Sequence, residues 1–198
     1  IALIQKIYVD QGTQGLKEFM ELRGGNAEKW QKMMVEDKER MLKIRPYTLS
    51  LVQQQPVIEQ KLAILKSIYP DFKPGDIFFT IGVGNSGGTV EGLHVLIGAE
   101  VTASEKPNWA VPIVLHEFIH TQQQSPCKAD LLSGCILEGM AEFVSELTLD
   151  QPLATIYPSS HIAFGLQHEK EVWDRFKTQM HSIEYEGWLY GGSGQTFA

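Results

Sequence analysis

The stretch Val111-Pro112-Ile113-Val114-Leu115-His116-Glu117-Phe118-Ile119-His120 decides how the rest of the chain is read. It sets His-Glu-x-x-His inside an apolar run, and such a run is expected to be a helix. Residues four apart share one face of a helix, so His116 and His120 point the same way, one turn apart. Two imidazoles placed like that can grip one zinc ion. Glu117 stands beside them, where its carboxylate can reach a water held at the metal.

A zinc that does chemistry commonly keeps three protein ligands and one open position. The candidate for the third lies in Leu137-Glu138-Gly139-Met140-Ala141-Glu142, where Glu138 follows His120 by 18 positions. That interval fits a helix end, a loop and a returning helix. Glu142 is one turn further on, placed to accept a ring N–H from a ligand histidine and fix its tautomer. A developing oxyanion also needs a donor opposite the metal. Tyr157, His161, His168, His181, Tyr185 and Tyr190 are the candidates, and nothing in the sequence chooses among them.

Upstream, residues 1–72 are expected to form a helical N-terminal region and 73–198 a catalytic core. A helix over Gly15–Leu22 stops at Gly24-Gly25. Asn26 caps a longer one that ends before Pro46, and a third follows Pro56 and halts at Pro70. The Trp and Met residues there recur at helical spacing and read as core, and the mixed charges of residues 36–40 read as a solvated helix face. Beyond the Lys73–Asp76 turn, Ile77–Val83 and Leu93–Ala99 read as two strands. They are expected to pair antiparallel across the flexible, glycine-rich Gly84–Gly88. No Gly-Lys-Ser/Thr follows those glycines, which excludes a phosphate loop. His94, alone on its strand, reads as an ordinary polar residue.

Downstream, Pro107 is expected to open the motif helix and Ser125-Pro126 to end it. Asp130 or Ser133 caps the next helix, which Asp150-Gln151-Pro152 closes, and a last helix runs from about His161 to His181. The Gly-rich tail after Gly187 has no stop signal, which leaves room for more chain beyond Ala198.

The formal charge of −7 offers no basic face to displace counterions, so nucleic acid is excluded as the main partner. No apolar run approaches the roughly 18 residues of a membrane span. Cys127 and Cys135 are too few for a disulfide scaffold; they are either two half-buried thiols or a single bridge. The first residue is Ile1, not Met, so the chain reads as a mature or trimmed piece that has lost any signal or lipid anchor.

Residues 111–147 resemble the gluzincin metallopeptidases, in which a His-Glu-x-x-His helix is followed by a second helix bearing a glutamate ligand. The aminopeptidase branch often writes that second helix Asn-Glu-Gly-x-Ala-Glu, and Leu137–Glu142 matches it apart from Leu137. The form is most similar to bacterial families described as predicted zinc-dependent proteases, some of them lipoproteins. The resemblance implies one Zn2+ ion held by His116, His120 and Glu138, with Glu117 as general base. It implies an α+β, mainly helical fold: a zincin-like domain with a small antiparallel sheet and a helical N-terminal region. It also implies an edge strand above the metal that pairs with an extended substrate, for which Leu93, His94, Val95 and Leu96 are the candidates. The Gly-x-Met-Glu-Asn element that holds a free amino terminus is absent at Gly92–Val95, which argues against an exopeptidase.

The expectation is therefore an extracytoplasmic zinc peptidase acting on peptide or protein. The alternatives are a zinc hydrolase of another amide or ester, and a catalytically silent binding module on the same fold. The sequence carries no sign of oligomeric state.

Overall fold

A computed structural model describes residues 1–124, 128–157, 160–184 and 187–189, with the backbone alone at Ser160 and His161. Contacts divide the chain into two compact units, 1–122 and 123–198. The first unit contains helix α1 (Ala2–Ile4), continued by a π-helical turn to Val9, then α2 (Gln14–Leu22), α3 (Ala27–Glu36), α4 (Lys38–Leu49) and α5 (Gln55–Ile68). Strands β1 (Asp76–Thr80), β2 (Gly88–Glu91) and β3 (His94–Gly98) follow, then the short α6 (Ala99–Thr102) and α7 (Ala110–Gln122). The second unit contains α8 (Leu131–Leu149), α9 (Leu153–Ile156), α10 (Ser160–Gln167) and α11 (Glu169–Gln179). The fold is α+β and mainly helical, and no helix of the described residues is long and apolar enough to cross a membrane.

Local chemistry explains two of the helix starts. Thr13 caps α2 by accepting from Leu16 N–H at 3.2 Å, and Asn26 caps α3 by accepting from Lys29 N–H at 2.9 Å. The single helix expected from Asn26 to Pro46 is instead two, α3 and α4, divided at Asp37. Pro46 lies inside α4 rather than beyond it. It costs the helix the amide that would bond Leu42, but both residues are exposed, so water can serve that carbonyl. The long last helix also divides, with His168 at the break between α10 and α11.

The sheet differs from the expected antiparallel pair in a way that matters for the site. Its order is β1-β3-β2, with β1 and β3 parallel and β2 and β3 antiparallel. The physical reason is a third strand hidden in the glycine-rich connection. After β1 the chain turns back as β2, and a tight hairpin at Gly92 (φ +56°) returns it as β3 between the other two. The sheet is thus mixed. β3, the candidate edge strand, is its centre and carries a neighbour on each side.

Val95, Leu96 and Ile97 are all fully buried, which requires cover on both faces of the sheet. Helix α2 covers one face: His94 meets Glu18 at 2.8 Å, and Phe19 lies against the backbone of Gly82 and Gly98. Helix α7 covers the other by packing on β2 and β3. The approach of α2 is close enough that a Cβ at Gly15 would meet Phe78 Cγ at 2.2 Å. Helix α2 is therefore one side of the sheet's own core, and α5 packs on α7.

A buried carboxylate closes the end of the sheet. Glu100 is 1% exposed and its Oε1 accepts from Gly84 N–H at 3.0 Å. Burial pushes its carboxyl above the usual range. Tyr8 and Trp30 both donate to the Ile81 carbonyl, at 2.7 and 3.0 Å, and burial raises the Tyr8 hydroxyl to about 12.

Candidate metal centre

The motif helix starts at Ala110, three residues later than Pro107 suggests, because Asn108 takes a left-handed turn (φ 54°) just before it. Its first amide finds a distant partner: Ala110 N–H donates at 3.0 Å to Oε1 of buried Gln54. Pro112 stands in the first turn, where its missing N–H costs nothing. Ala110, Val111, Val114, Leu115, Phe118 and Ile119 are buried, which fixes the rotation of the helix.

That rotation brings the two histidines together. The Nε2 atoms of His116 and His120 are 3.1 Å apart, with the rings nearly perpendicular at 83°. Two Nε2 ligands at about 2.0–2.1 Å from one tetrahedral zinc would stand roughly 3.3 Å apart. The observed separation fits that arrangement. Glu117, the residue between, is buried at 9% exposure. Its carboxylate lies against β2, where a Cβ built on Gly88 would fall 2.4 Å from its Oε1.

In the second unit, Asp130 starts α8, resolving the choice between Asp130 and Ser133. Its Oδ1 accepts from Ser133 N–H at 3.0 Å and from the Ser133 hydroxyl at 2.8 Å, while Oδ2 meets His181 Nδ1 at 3.0 Å. Backbone bonds from Leu131 N–H to Ser182 O and from Leu132 N–H to Met180 O, both 2.8 Å, pin the same helix start. Glu138 and Glu142 follow one turn apart on α8, both half-buried. Gln123 Nε2 donates to the Leu137 carbonyl at 2.8 Å, just before Glu138.

His116, His120 and Glu138 are a group that could hold a metal ion. No other group of three or more His, Cys, Asp and Glu meets that condition among the described residues. Cys135 is a half-buried free thiol whose pKa is raised by burial and then by the charge of Glu138. Cys127 lies outside the described residues.

Tyr157 caps α9, half-buried. The His168 ring stacks on Phe164 at 4.2 Å with Nδ1 3.1 Å from Glu171, and His181 serves Asp130. Tyr185, Tyr190 and the His161 side chain lie outside the described residues. The candidate substrate strand is corrected: Leu93 is in the hairpin turn, Val95 and Leu96 are fully buried, and His94 faces α2 on the side of the sheet away from α7. Gln54, Gly88 and Arg23, which donates to the Gly88 carbonyl at 2.9 Å, were not singled out from the sequence. No local pattern marks Gln54 or Arg23. Gly88 could have been found as a glycine leading into the alternation Thr89-Val90-Glu91.

The Asp130 cluster carries a pH dependence. His181 first, then the Ser133 amide and hydroxyl, hold the Asp130 carboxyl down to about 2. A depressed carboxyl contributes stability that is complete above its unfolded value of about 3.9 and is lost as pH falls through the folded one. Acidification from about pH 4 to pH 2 is therefore expected to loosen the start of α8, read as faster amide exchange at Ser133 and Gly134. Asp130→Asn should flatten that dependence.

No protein-family model, no curated protein and no solved structure matches this chain.

Proposed function

We propose that this protein is a zinc-dependent peptidase of zincin-like fold, with His116, His120 and Glu138 as ligands and Glu117 as general base. The observation that carries the reading is the pair of histidine Nε2 atoms 3.1 Å apart on α7, with buried Glu117 next to His116 in the chain and Glu138 as the further member of a group that could hold a metal ion. Two imidazole nitrogens and a carboxylate suit zinc better than harder cations that prefer all-oxygen sites. Bound zinc would supply a Lewis acid and lower the pKa of water towards neutrality.

The chain's own residues would do the rest. Glu117, held against β2, takes a proton from the attacking water and passes it to the leaving amine. The apolar packing of α7 keeps the histidine pair facing one point. Among the described residues β2 has no strand partner on its outer side, so an extended peptide can pair there instead of along β3.

Two measurements test the reading. The first is the zinc content of the purified protein, together with its thermal unfolding with and without chelator. An ion that binds only the folded state stabilises it by about 2.7 kcal/mol at a hundredfold excess over its Kd, so chelation is expected to lower Tm. Absence of zinc uptake, or an unchanged melt, counts against the site. The second is hydrolysis of a broad peptide library by the zinc-loaded protein. Zinc without hydrolysis would overturn the peptidase reading and favour a binding module or a hydrolase of another amide or ester.

A further inference from the structure

We infer that Gly88 is a positioning residue: β2 presents a backbone without a side chain at the one place where the Glu117 carboxylate lies, and a clamp on Gly88 keeps it there. The inference rests on the reading of Glu117 as general base.

Three observations combine. First, a Cβ at Gly88 would fall 2.4 Å from Glu117 Oε1 and 2.7 Å from both Cδ and Cγ, far inside the ordinary contact range of 3.4–4 Å. Second, Gly88 is held on several sides. Its carbonyl accepts from Arg23 Nη2 at 2.9 Å and from the Ser86 hydroxyl at 2.8 Å, which fills both lone pairs. Its register on β3 sets it opposite Ile97, and Gly98 N–H donates to the neighbouring Gly87 carbonyl at 3.0 Å. Third, the clamp is itself anchored. Asn85 Nδ2 donates to the Arg23 carbonyl at 2.8 Å, and Gly84 N–H is bound to buried Glu100.

The two partners in the contact are unequal. β2 is tied by its carbonyl, its ladder and its loop, whereas the Glu117 carboxylate is the end of a flexible side chain. A methyl group at position 88 therefore moves the carboxylate and leaves the strand in place. The displaced atoms are the outer part of the Glu117 side chain, Cγ and its carboxyl group, and not backbone. The stability of the fold and the grip on the ion are separable from the placement of the base. Misplacing a catalytic group by about 1 Å costs on the order of a hundredfold in rate.

The experiment uses the full chain with Gly88→Ala. Its crystal structure without metal is expected to show the Glu117 carboxylate displaced by about 1 Å or more with β2 unmoved, the distance a methyl contact requires. In the zinc-loaded protein, kcat is expected to fall at least tenfold, towards about a hundredfold, with KM and zinc content changed less than twofold. Arg23→Ala, which removes one donor from the Gly88 carbonyl and adds no atom, is expected to lower kcat several-fold, and Arg23→Lys to retain most of it. A Glu117 side chain that stays in place, or an unchanged kcat in both Gly88→Ala and Arg23→Ala, would overturn the inference. If the wild type hydrolyses no peptide, the peptidase reading falls and the crystal structure of Gly88→Ala alone decides the positioning.

Discussion

Replacing Glu117 by Gln is expected to lower kcat for peptide hydrolysis by about 10²–10⁴-fold while zinc content stays unchanged. The substitution keeps the length and shape of a side chain that is buried and packed on the Gly88 backbone, so the fold has no reason to respond. It removes the negative charge and, with it, the ability to take a proton. At about 1.36 kcal/mol per tenfold, the loss amounts to roughly 2.7–5.4 kcal/mol of transition-state stabilisation. Steady-state rates on one cleaved peptide, with metal analysis of the same sample, check it. A variant as fast as wild type would remove Glu117 from the mechanism. One that loses zinc as well would make it a structural support of the ligand pair.

The second large effect concerns the fold. Phe19→Ala is expected to destabilise the first unit by about 3–5 kcal/mol, a substantial share of the roughly 5–15 kcal/mol of a whole domain. Phe19 has no solvent exposure. Its ring fills the space above Gly82 and Gly98, where added Cβ atoms would fall 2.5 Å from its Cε1 and 3.0 Å from its Cζ. Those neighbours are backbone at the end of the sheet and cannot collapse into the cavity. The denaturant midpoint of the full chain measures the effect. A loss below about 1 kcal/mol would mean that α2 is dispensable to the sheet, against its close packing on β1 and β3.

How much of this was legible in the sequence depends on the range of the interaction. The histidine pair was legible because helical geometry is local: once Val111–Ile119 is a helix, residues four apart must share a face. The caps Thr13, Asn26 and Asp130 are equally local, and two of them stand out in the sequence as polar residues before apolar runs. The sheet order was not legible. Thr89-Val90-Glu91 is too short to register as a strand, and missing it reversed the apparent relation of β1 to β3. Pro46 misled because its effect depends on whether Leu42 faces water, which only the fold decides. The packing of Gly88 on Glu117 joins residues 29 positions apart through a strand and a helix, and no spacing rule reports it.

The cap on the motif helix gives the histidine pair a dependence of its own. Gln54, which holds the first amide of α7, precedes Ala110 by 56 positions and is buried between elements that must already have come together. The pair is therefore not a portable motif. A peptide cut to the length of α7 would keep both imidazoles and lose what orients them. If the whole chain binds an ion as proposed, ion affinity and the integrity of residues 1–122 become two readings of one equilibrium. Titrating an ion into variants altered far from His116 would then report on the fold as a gauge reports pressure, with no structural probe attached.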